Sequence, residues 1–282
     1  MKALTEIKLK FKKVPFNDNA LWKFYRAQVA AISTLVTIVS FCAPLPNGWL
    51  WRLGSLITFL AVLIGLFLYD WYEANQTCHA EIKINGTNVK VYVGDIFDQE
   101  GLKVIGVNNY IDLIPDDIVL STSTLHGKFM LSHQGELDEL TTAIANSTTL
   151  YSESGGSRSD QQSYACGSCL LYQDYVLAVL TKFDPQNKAY SSIQEYVQFW
   201  MTFWENIDTL YNSRTLNIPL MGAGQTRFRG TKPKKQELLE IALWTLKESG
   251  FRNNYADRSI NFVIYSGDAP DIDFYRIQKM FG

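Results

Sequence analysis

The stretch Gly222-Ala223-Gly224 ends an apolar run at residues 216–221, and Arg227 and Arg229 follow it closely. The run has the composition of a buried strand, so the two glycines stand where a strand ends. Glycine allows a ligand to approach the backbone, and N–H groups exposed at such a position bind phosphate. The stretch therefore predicts an anion site. The two arginines either add positive charge to it or lie in a solvated loop.

Three other predicted strands end in a similarly small or polar cluster. These clusters are Gly94-Asp95, Asn108-Asn109 and Ser266-Gly-Asp268. Ligands of open α/β sheets bind outside the carboxyl ends of the strands, so the four clusters are candidates for one pocket. Each cluster alone is ordinary turn chemistry, but four of them in the same position favour a binding site.

Strands that alternate with helices are expected to position these clusters. Alternating apolar residues on either side of Asn85-Gly86 predict a β-hairpin. Residues 152–162 are interpreted as a mobile loop because they are rich in serine and glycine. The remaining predictions are strands at 103–107, 169–181 (a pair), 216–221 and 260–265, and helices from 125, at 191–211, 234–249 and 272–281. This alternation indicates an α/β sheet.

Two uncharged apolar runs, residues 27–45 and 53–69, precede the predicted sheet. Each is close to the length that crosses a bilayer as a helix, and tryptophan and tyrosine flank the second run. The turn-forming residues 44–48 join them, which predicts a transmembrane hairpin; the alternative is a pair of buried core helices. Small residues along both runs favour close packing, either within the hairpin or between copies of the chain.

Charge is divided unevenly along the chain. The first 26 residues hold seven basic and two acidic side chains, although the whole chain has a net charge of −2. Positive residues stay on the cytoplasmic side, which predicts an inner-membrane protein with both termini in the cytoplasm. The acidic remainder argues against nucleic acid as a partner. The predicted regions are a basic segment (1–26), a transmembrane hairpin (27–72) and a cytosolic α/β domain (79–282).

The histidine and cysteine spacing gives no metal site or catalytic constellation. Cys166 and Cys169 have CxxC spacing, but a zinc site needs two further ligands, and we expect free thiols. No Ser/His/Asp, Cys/His or paired-carboxylate arrangement is recognisable, so neither a catalytic residue nor a cofactor is predicted.

The four clusters, in their order along the chain, resemble the motifs of the macro domain, an α/β fold that binds ADP-ribose. Residues 93–96 resemble the first-strand motif of that family, and residues 104–109 resemble its strand that ends in asparagine. Residues 218–224 resemble its strand and glycine-rich phosphate loop, and residues 262–266 resemble its last strand. The resemblance spans residues 80–282 and implies the macro fold for the cytosolic domain.

The resemblance also implies a role for each cluster. Asp95 is expected to bond the adenine amino group, Asn108 or Asn109 to contact the distal ribose, and the glycine-rich loop to wrap the diphosphate. The implied ligand-binding residues are Gly94, Asp95, Ile96, Asn108, Asn109, Gly222, Ala223, Gly224, Gln225, Thr226, Arg227, Tyr265 and Ser266. The second glycine-rich loop of common macro domains has no clean counterpart, although His126-Gly127 lies nearby. That departure weakens the case for hydrolase activity more than the case for binding.

A two-span hairpin joined to a divergent macro domain is similar to the membrane-anchored effectors of bacterial Thoeris antiphage systems. The resemblance implies a signal made from NAD by a partner TIR-domain enzyme, with histidyl-ADP-ribose as the ligand. It implies a non-enzymatic sensor that assembles with copies of itself and damages the bilayer. A membrane-bound ADP-ribosyl hydrolase and an anchor for ADP-ribosylated proteins are the alternatives.

Overall fold

The computed structural model describes residues 14–42, 48–154, 156–212, 214–251 and 259–282. The chain divides into two compact units. The first comprises residues 1–78 and 273–280, and the second comprises residues 79–272 and 281–282. The sequence predictions for the basic segment before residue 14 and for most of the turn at 44–48 lie outside the described residues.

The first unit contains two long helices, α1 (Asn19–Cys42) and α2 (Trp49–Gln76). The Asp18 carboxylate caps the N-terminus of α1, since its Oδ1 accepts from the backbone N–H groups of Ala20 and Leu21 at 2.8 and 3.0 Å. Both helices have the length and composition of membrane spans. In the most apolar 18-residue window, 0% of α1 and 6% of α2 is buried, whereas a core helix of a soluble protein is mostly buried.

A small buried cluster forms at one end of this helix pair. Val14, Leu21, Ala74 and Tyr275 are its members, and Phe24, Phe67 and Trp71 pack against it. Tyr275 lies on the last helix of the chain, α7 (Phe274–Phe281). Residues 273–280 therefore group with the first unit, whereas the sequence analysis placed them with the α/β domain. An amphipathic helix shows from its sequence that it packs on an apolar surface, but not which one.

The second unit is built on a mixed sheet with the order β1-β2-β11-β9-β3-β7-β8-β10, and β6 pairs with β7. Five neighbouring strands are parallel, in the order β2, β11, β9, β3 and β7. The antiparallel pairs are β1 with β2, β6 with β7 and β8 with β7. The strand bounds are β1 His79–Ile84, β2 Thr87–Val93, β3 Leu102–Asn108, β6 Cys169–Tyr172, β7 Tyr175–Phe183, β8 Ala189–Ser191, β9 Leu216–Pro219, β10 Arg227–Phe228 and β11 Ser259–Ile264.

Helices cover the sheet: α3 (Leu125–Ser132), α4 (Leu137–Ala145), α5 (Ile193–Leu210) and α6 (Lys235–Glu248). The α5 helix carries the largest buried side chains, with Tyr196, Trp200 and Trp204 at most 1% exposed. Their spacing of four residues places them on one face. Ser192 and Glu195 close a capping box at its start. The sequence predictions of α3, α5 and α6, of the β1–β2 hairpin and of the β6–β7 pair are confirmed, whereas α4 was not predicted.

The segment interpreted as a mobile loop has more structure than its composition predicts. Its ends form a small ladder, β4 (Ser152–Glu153) with β5 (Ser163–Tyr164). Between them, Arg158 Nη1 lies 2.6 Å from Asp112 Oδ1, and its guanidinium lies 4.4 Å from the ring centre of Tyr110. The described residues of this segment are thus tied to the loop after β3, a non-local contact that serine and glycine content does not predict.

Candidate ligand-binding site

The parallel strands bring the four predicted clusters to one edge of the sheet. A cavity of about 440 Å³ lies there, in the size range of small-molecule sites. Ten of the predicted ligand-binding residues line it: Gly94, Asp95, Ile96, Asn108, Gly222, Ala223, Gly224, Gln225, Thr226 and Tyr265. We call this cavity the cleft. Asn109, Arg227 and Ser266 are not among its lining residues.

The first wall of the cleft follows β2. The Gly94 N–H donates to Ile264 O of the neighbouring β11 at 3.0 Å. The Asp95 carboxylate is exposed and accepts from the Phe97 N–H at 3.0 Å, which orders the turn. One carboxylate oxygen of Asp95 therefore has free acceptor capacity for a ligand N–H group.

The glycine-rich segment forms the second wall. Gly222 has φ +76°, a left-handed conformation that favours glycine. A Cβ there would meet the Tyr196 and Phe228 rings at 3.3 and 3.4 Å, whereas a Cβ on Gly224 would have no heavy atom within 4 Å. Tyr196, buried beneath the loop, donates from its hydroxyl to Met221 O at 2.9 Å. The Gly222–Thr226 backbone is thus held on its buried side by Tyr196, and its other side is open to the cleft.

The two adjacent asparagines face different surroundings. Asn108 lines the cleft, and its amide donates to Asp112 Oδ2 at 3.0 Å. Asn109 points away: its Nδ2 donates to Ser163 Oγ at 2.9 Å, and its Oδ1 accepts from the Phe183 N–H at 2.9 Å. The sequence analysis left open which of the two would contact ligand. The structure places Asn108 in the cleft and gives Asn109 a structural role.

Replacing Asn109 by alanine is expected to destabilise the second unit by about 2 kcal/mol. The substitution leaves the buried Phe183 N–H without its acceptor and removes the bond to Ser163. Urea unfolding of the full chain in detergent measures the loss. Asn146→Ala, at an exposed position just after α4 that does not line the cleft, serves as the comparison, and an unchanged midpoint for Asn109→Ala contradicts the structural role.

Neither arginine after the glycine-rich loop lines the cleft. Arg227 lies on β10, where its backbone is in register with Tyr190 of β8 and its side chain is exposed. The Arg229 guanidinium stacks on the Tyr190 ring at 4.2 Å. Arg227, which was expected to contact the ligand, therefore lies outside the lining of the cleft. Lys128 is the basic side chain that lines the cleft among the residues described.

A third wall, which the sequence analysis did not anticipate, is formed by residues 119–128. Thr124 caps α3, because its hydroxyl accepts from the Gly127 N–H at 3.0 Å. The helix thus begins at the cleft, where its N-terminal dipole and free N–H groups favour an anion. A run of serine and threonine before an apolar segment was the available signal, but it is typical of many helix starts.

His126 lies in this wall and is 4% exposed. Burial lowers its pKa from the ordinary 6.5 to about 4, against a smaller opposing effect of a hydrogen bond to the Asp112 backbone and of the Asp112 charge. The imidazole is therefore neutral at pH 7. Its Nε2 is buried and has no hydrogen-bond partner.

The buried neutral His126 predicts acid sensitivity. Because its pKa is lower in the folded state, the unfolded chain binds the extra proton between pH 6.5 and pH 4, and stability falls as the pH falls through that window. The expected loss at pH 5 relative to pH 7 is about 2 kcal/mol. Urea unfolding of the full chain at both pH values measures it. In His126→Gln, whose side chain does not titrate, the drop in stability between pH 7 and pH 5 should be much smaller. A drop as large as in the unaltered chain contradicts the assignment.

The two CxxC thiols lie outside the cleft. Burial raises the pKa of Cys166 to about 12 and raises the pKa of Cys169 as well. Both cysteines are free thiols, as expected. Among the described residues, no group of three or more His, Cys, Asp or Glu side chains is arranged to hold a metal ion.

Comparison with known proteins assigns the family. Residues 89–265 match the family model described as Thoeris protein ThsA, Macro domain. This chain belongs to the ThsA macro-domain family. The chain is also 29% identical over 269 residues to Thoeris protein ThsA of Bacillus amyloliquefaciens (strain Y2), covering 91% of this chain and 89% of that protein.

The ThsA macro-domain match runs from β2 to Tyr265, so it includes all the strand ends that line the cleft. It confirms the resemblance on which the fold class was predicted. The share of this chain left outside the alignment with the Bacillus protein is smaller than α1 and α2 together. The similarity to that ThsA protein therefore extends into the helical unit.

Proposed function

We propose that this protein is a sensor in antiphage defence that binds an ADP-ribose-derived signal in the cleft. One observation carries the proposal: the glycine-rich segment after β9 and the N-terminus of α3 line the same cavity at the carboxyl ends of parallel strands. Both supply backbone N–H groups, which suit a diphosphate. The family assignment supports an ADP-ribose derivative over other diphosphates.

The remaining lining residues fit the ends of such a ligand. Asp95, with a free carboxylate oxygen, suits the exocyclic amine of adenine, and the exposed Tyr265 ring offers a face on which the base can stack. Asn108 lies on the other side of the glycine-rich segment along the sheet, where the distal ribose is expected. Histidyl-ADP-ribose, supplied by a TIR-domain enzyme, is the proposed natural signal.

The helical unit supports an effector role at the inner membrane. The α1 and α2 helices carry an almost wholly exposed apolar surface, which water disfavours and lipid accommodates. In this proposal the hairpin spans the bilayer with both termini in the cytoplasm. Ligand binding drives the chains to assemble, and packing between hairpins compromises the membrane.

Calorimetry on the full chain in detergent tests the binding step. Titration with ADP-ribose and with histidyl-ADP-ribose should give saturable heat, whereas a mononucleotide such as AMP, without the diphosphate, should bind far more weakly. Absence of binding by both ADP-ribose compounds overturns the proposal. Release of a cleaved product during the titration would select the hydrolase alternative instead.

Light scattering and dye release test the later steps. Ligand should increase the mass of the detergent-solubilised particle, and it should release dye from proteoliposomes that contain the chain. Binding without either change would favour a role as an anchor for ADP-ribosylated proteins.

Replacing Asp95 by alanine is expected to weaken ADP-ribose binding about tenfold with little change in stability. The side chain is exposed, so its loss removes a bond to ligand but no packing. Calorimetry gives the affinity and thermal unfolding the stability. Asp98→Ala is the matched control, because Asp98 is exposed on the same turn and does not line the cleft. Equal affinity of both variants would refute the adenine assignment.

A further inference from the structure

The strand β1 lies at one end of the mixed sheet, and no described strand pairs with its outer edge. It pairs with β2 in unbroken register over all six of its residues, without a bulge. Such an edge presents a row of backbone N–H and C=O groups to which another strand can bind. The strand at the opposite end of the sheet, β10, has only two residues, so it offers a much shorter edge.

The turn between β1 and β2 fixes which backbone groups of β1 point outward. Asn85 and Gly86 have φ of 51° and 82°, as in a two-residue type I′ turn. Ile84, which precedes this turn, is then in a hydrogen-bonded pair with β2, and so is every second residue before it. The backbone groups of Glu81 and Lys83 therefore point away from β2, toward the open edge.

The side chains of these two residues carry opposite charges. Glu81 and Lys83 are exposed, and the residues that alternate with them face the core. Glu81 lies opposite Lys90 of β2, and 3.2 Å separate its Oε1 from the lysine Nζ. Lys83 lies opposite Asn88, which carries no charge. Within its own sheet, therefore, Lys83 has no acidic residue opposite it.

A second copy of the same strand can supply that acidic residue. When two β1 strands pair antiparallel, their outward-pointing residues lie opposite one another. The register that places Glu81 opposite Lys83 of the second copy forms this pair twice, because a two-fold axis repeats it. A shift of two residues in either direction places Glu81 opposite Glu81, or Lys83 opposite Lys83, and like charges destabilise a sheet. Charge thus selects one register.

We propose that β1 is the contact surface for a second copy of this chain, with the two β1 strands antiparallel and Ile82 on the two-fold axis. A lysine on an edge strand commonly prevents pairing, but the glutamate two residues earlier gives Lys83 a partner in this one register. The contact supplies about four backbone hydrogen bonds besides the two ion pairs. It needs no ligand in the cleft, so it goes beyond the proposed function.

The contact is small, because one strand pair buries less than the roughly 1,000 Å² that a stable interface between soluble proteins requires. Confinement of both copies to one membrane raises their effective concentration, as a linker does. Proteoliposomes are therefore the medium in which the pairing should be measured. Flotation of the vesicles verifies separately that the chain is anchored in them.

Disulfide cross-linking of the full chain tests the inference, with Cys42 and Cys78 replaced by serine. Ile82→Cys should form a covalent dimer under mild oxidation without ligand, because residues opposite each other on the axis have Cα atoms about 4.5 Å apart. Ile84→Cys is the matched control. Its side chain faces the same side of the sheet but lies opposite Ala80 of the second copy, so it should stay monomeric. No dimer in Ile82→Cys, or equal dimer in both variants, overturns the inference.

Charge reversal in the Ile82→Cys chain tests the register. Lys83→Glu and Glu81→Lys should each reduce the cross-linked fraction about tenfold, since each places like charges opposite one another at both pairs. An equimolar mixture of the two variants should restore the cross-link, because each chain then meets the opposite charge. Lys188→Glu, at an exposed position on the turn before β8, should leave it unchanged. A cross-link that survives both reversals, or a mixture that stays monomeric, contradicts the register.

A second pair of variants decides the question if Ile82→Cys fails to fold. Ala80 and Ile84 lie opposite each other across the two copies in the proposed register. Chains with Ala80→Cys and chains with Ile84→Cys should therefore cross-link when they are mixed, and neither should cross-link alone. A mixture that gives no covalent dimer refutes the pairing of β1 strands.

Discussion

Gly224→Val is expected to abolish binding of ADP-ribose while the protein stays folded. A Cβ on Gly224 meets no heavy atom within 4 Å, so a side chain attached there begins in open space. The residue lines the cleft, and a branched side chain there would occupy the approach of a phosphate to the backbone. We expect at least a hundredfold loss of affinity, which corresponds to about 3 kcal/mol.

Calorimetry measures that loss, and thermal unfolding verifies the fold. Gly135→Val is the matched control, since Gly135 is equally unobstructed and does not line the cleft. Gly222→Val should also lose binding, but it should lower stability as well, because Gly222 is left-handed and closely packed. Normal affinity in Gly224→Val would mean that the phosphates do not lie on this loop.

Gly127→Ala is expected to destabilise the protein, although replacing glycine by alanine within a helix ordinarily stabilises it by up to about 1 kcal/mol. A Cβ on Gly127 would overlap the Ser121 carbonyl oxygen and would lie 2.9 Å from Thr122 Cα. These are backbone atoms, which cannot turn aside as a side chain can. The start of α3 must then separate from the loop before it, at an expected cost of about 3 kcal/mol.

Thermal and urea unfolding give the sign and the size of this effect. Gly135→Ala, where a Cβ has open space, should be neutral or slightly stabilising in the same assay. Because Gly127 holds the third wall of the cleft in place, we also expect weaker ADP-ribose binding. A Gly127→Ala protein that is more stable than the unaltered chain would show that α3 does not start against residues 121–122.

The strand ends that form the site can be predicted from the sequence, because each buried strand is an apolar run that stops at a glycine or a polar residue. Asn108 and Asn109 show where this information stops. The pairing of β3 with β7 shifts register between Val107 and Asn108. Such a bulge decides which of two neighbouring side chains faces the cleft, and it depends on a strand some 70 residues further along the chain.

Non-local pairing also explains the other differences. Arg227 is in register with Tyr190, a partner 37 residues earlier whose strand β8 is only three residues long. Nothing in the local composition predicts so short a pairing. The serine- and threonine-rich wall of residues 119–128 has no glycine motif. Its place in the cleft follows from the packing of α3 on the sheet rather than from a recognisable pattern.

The chain passes between the two units more than once, since residues 273–280 return to the helical unit after Ile272. The helical unit is therefore built from both an N-terminal and a C-terminal part of the chain, and the second crossing begins only seven residues after Tyr265, which lines the cleft.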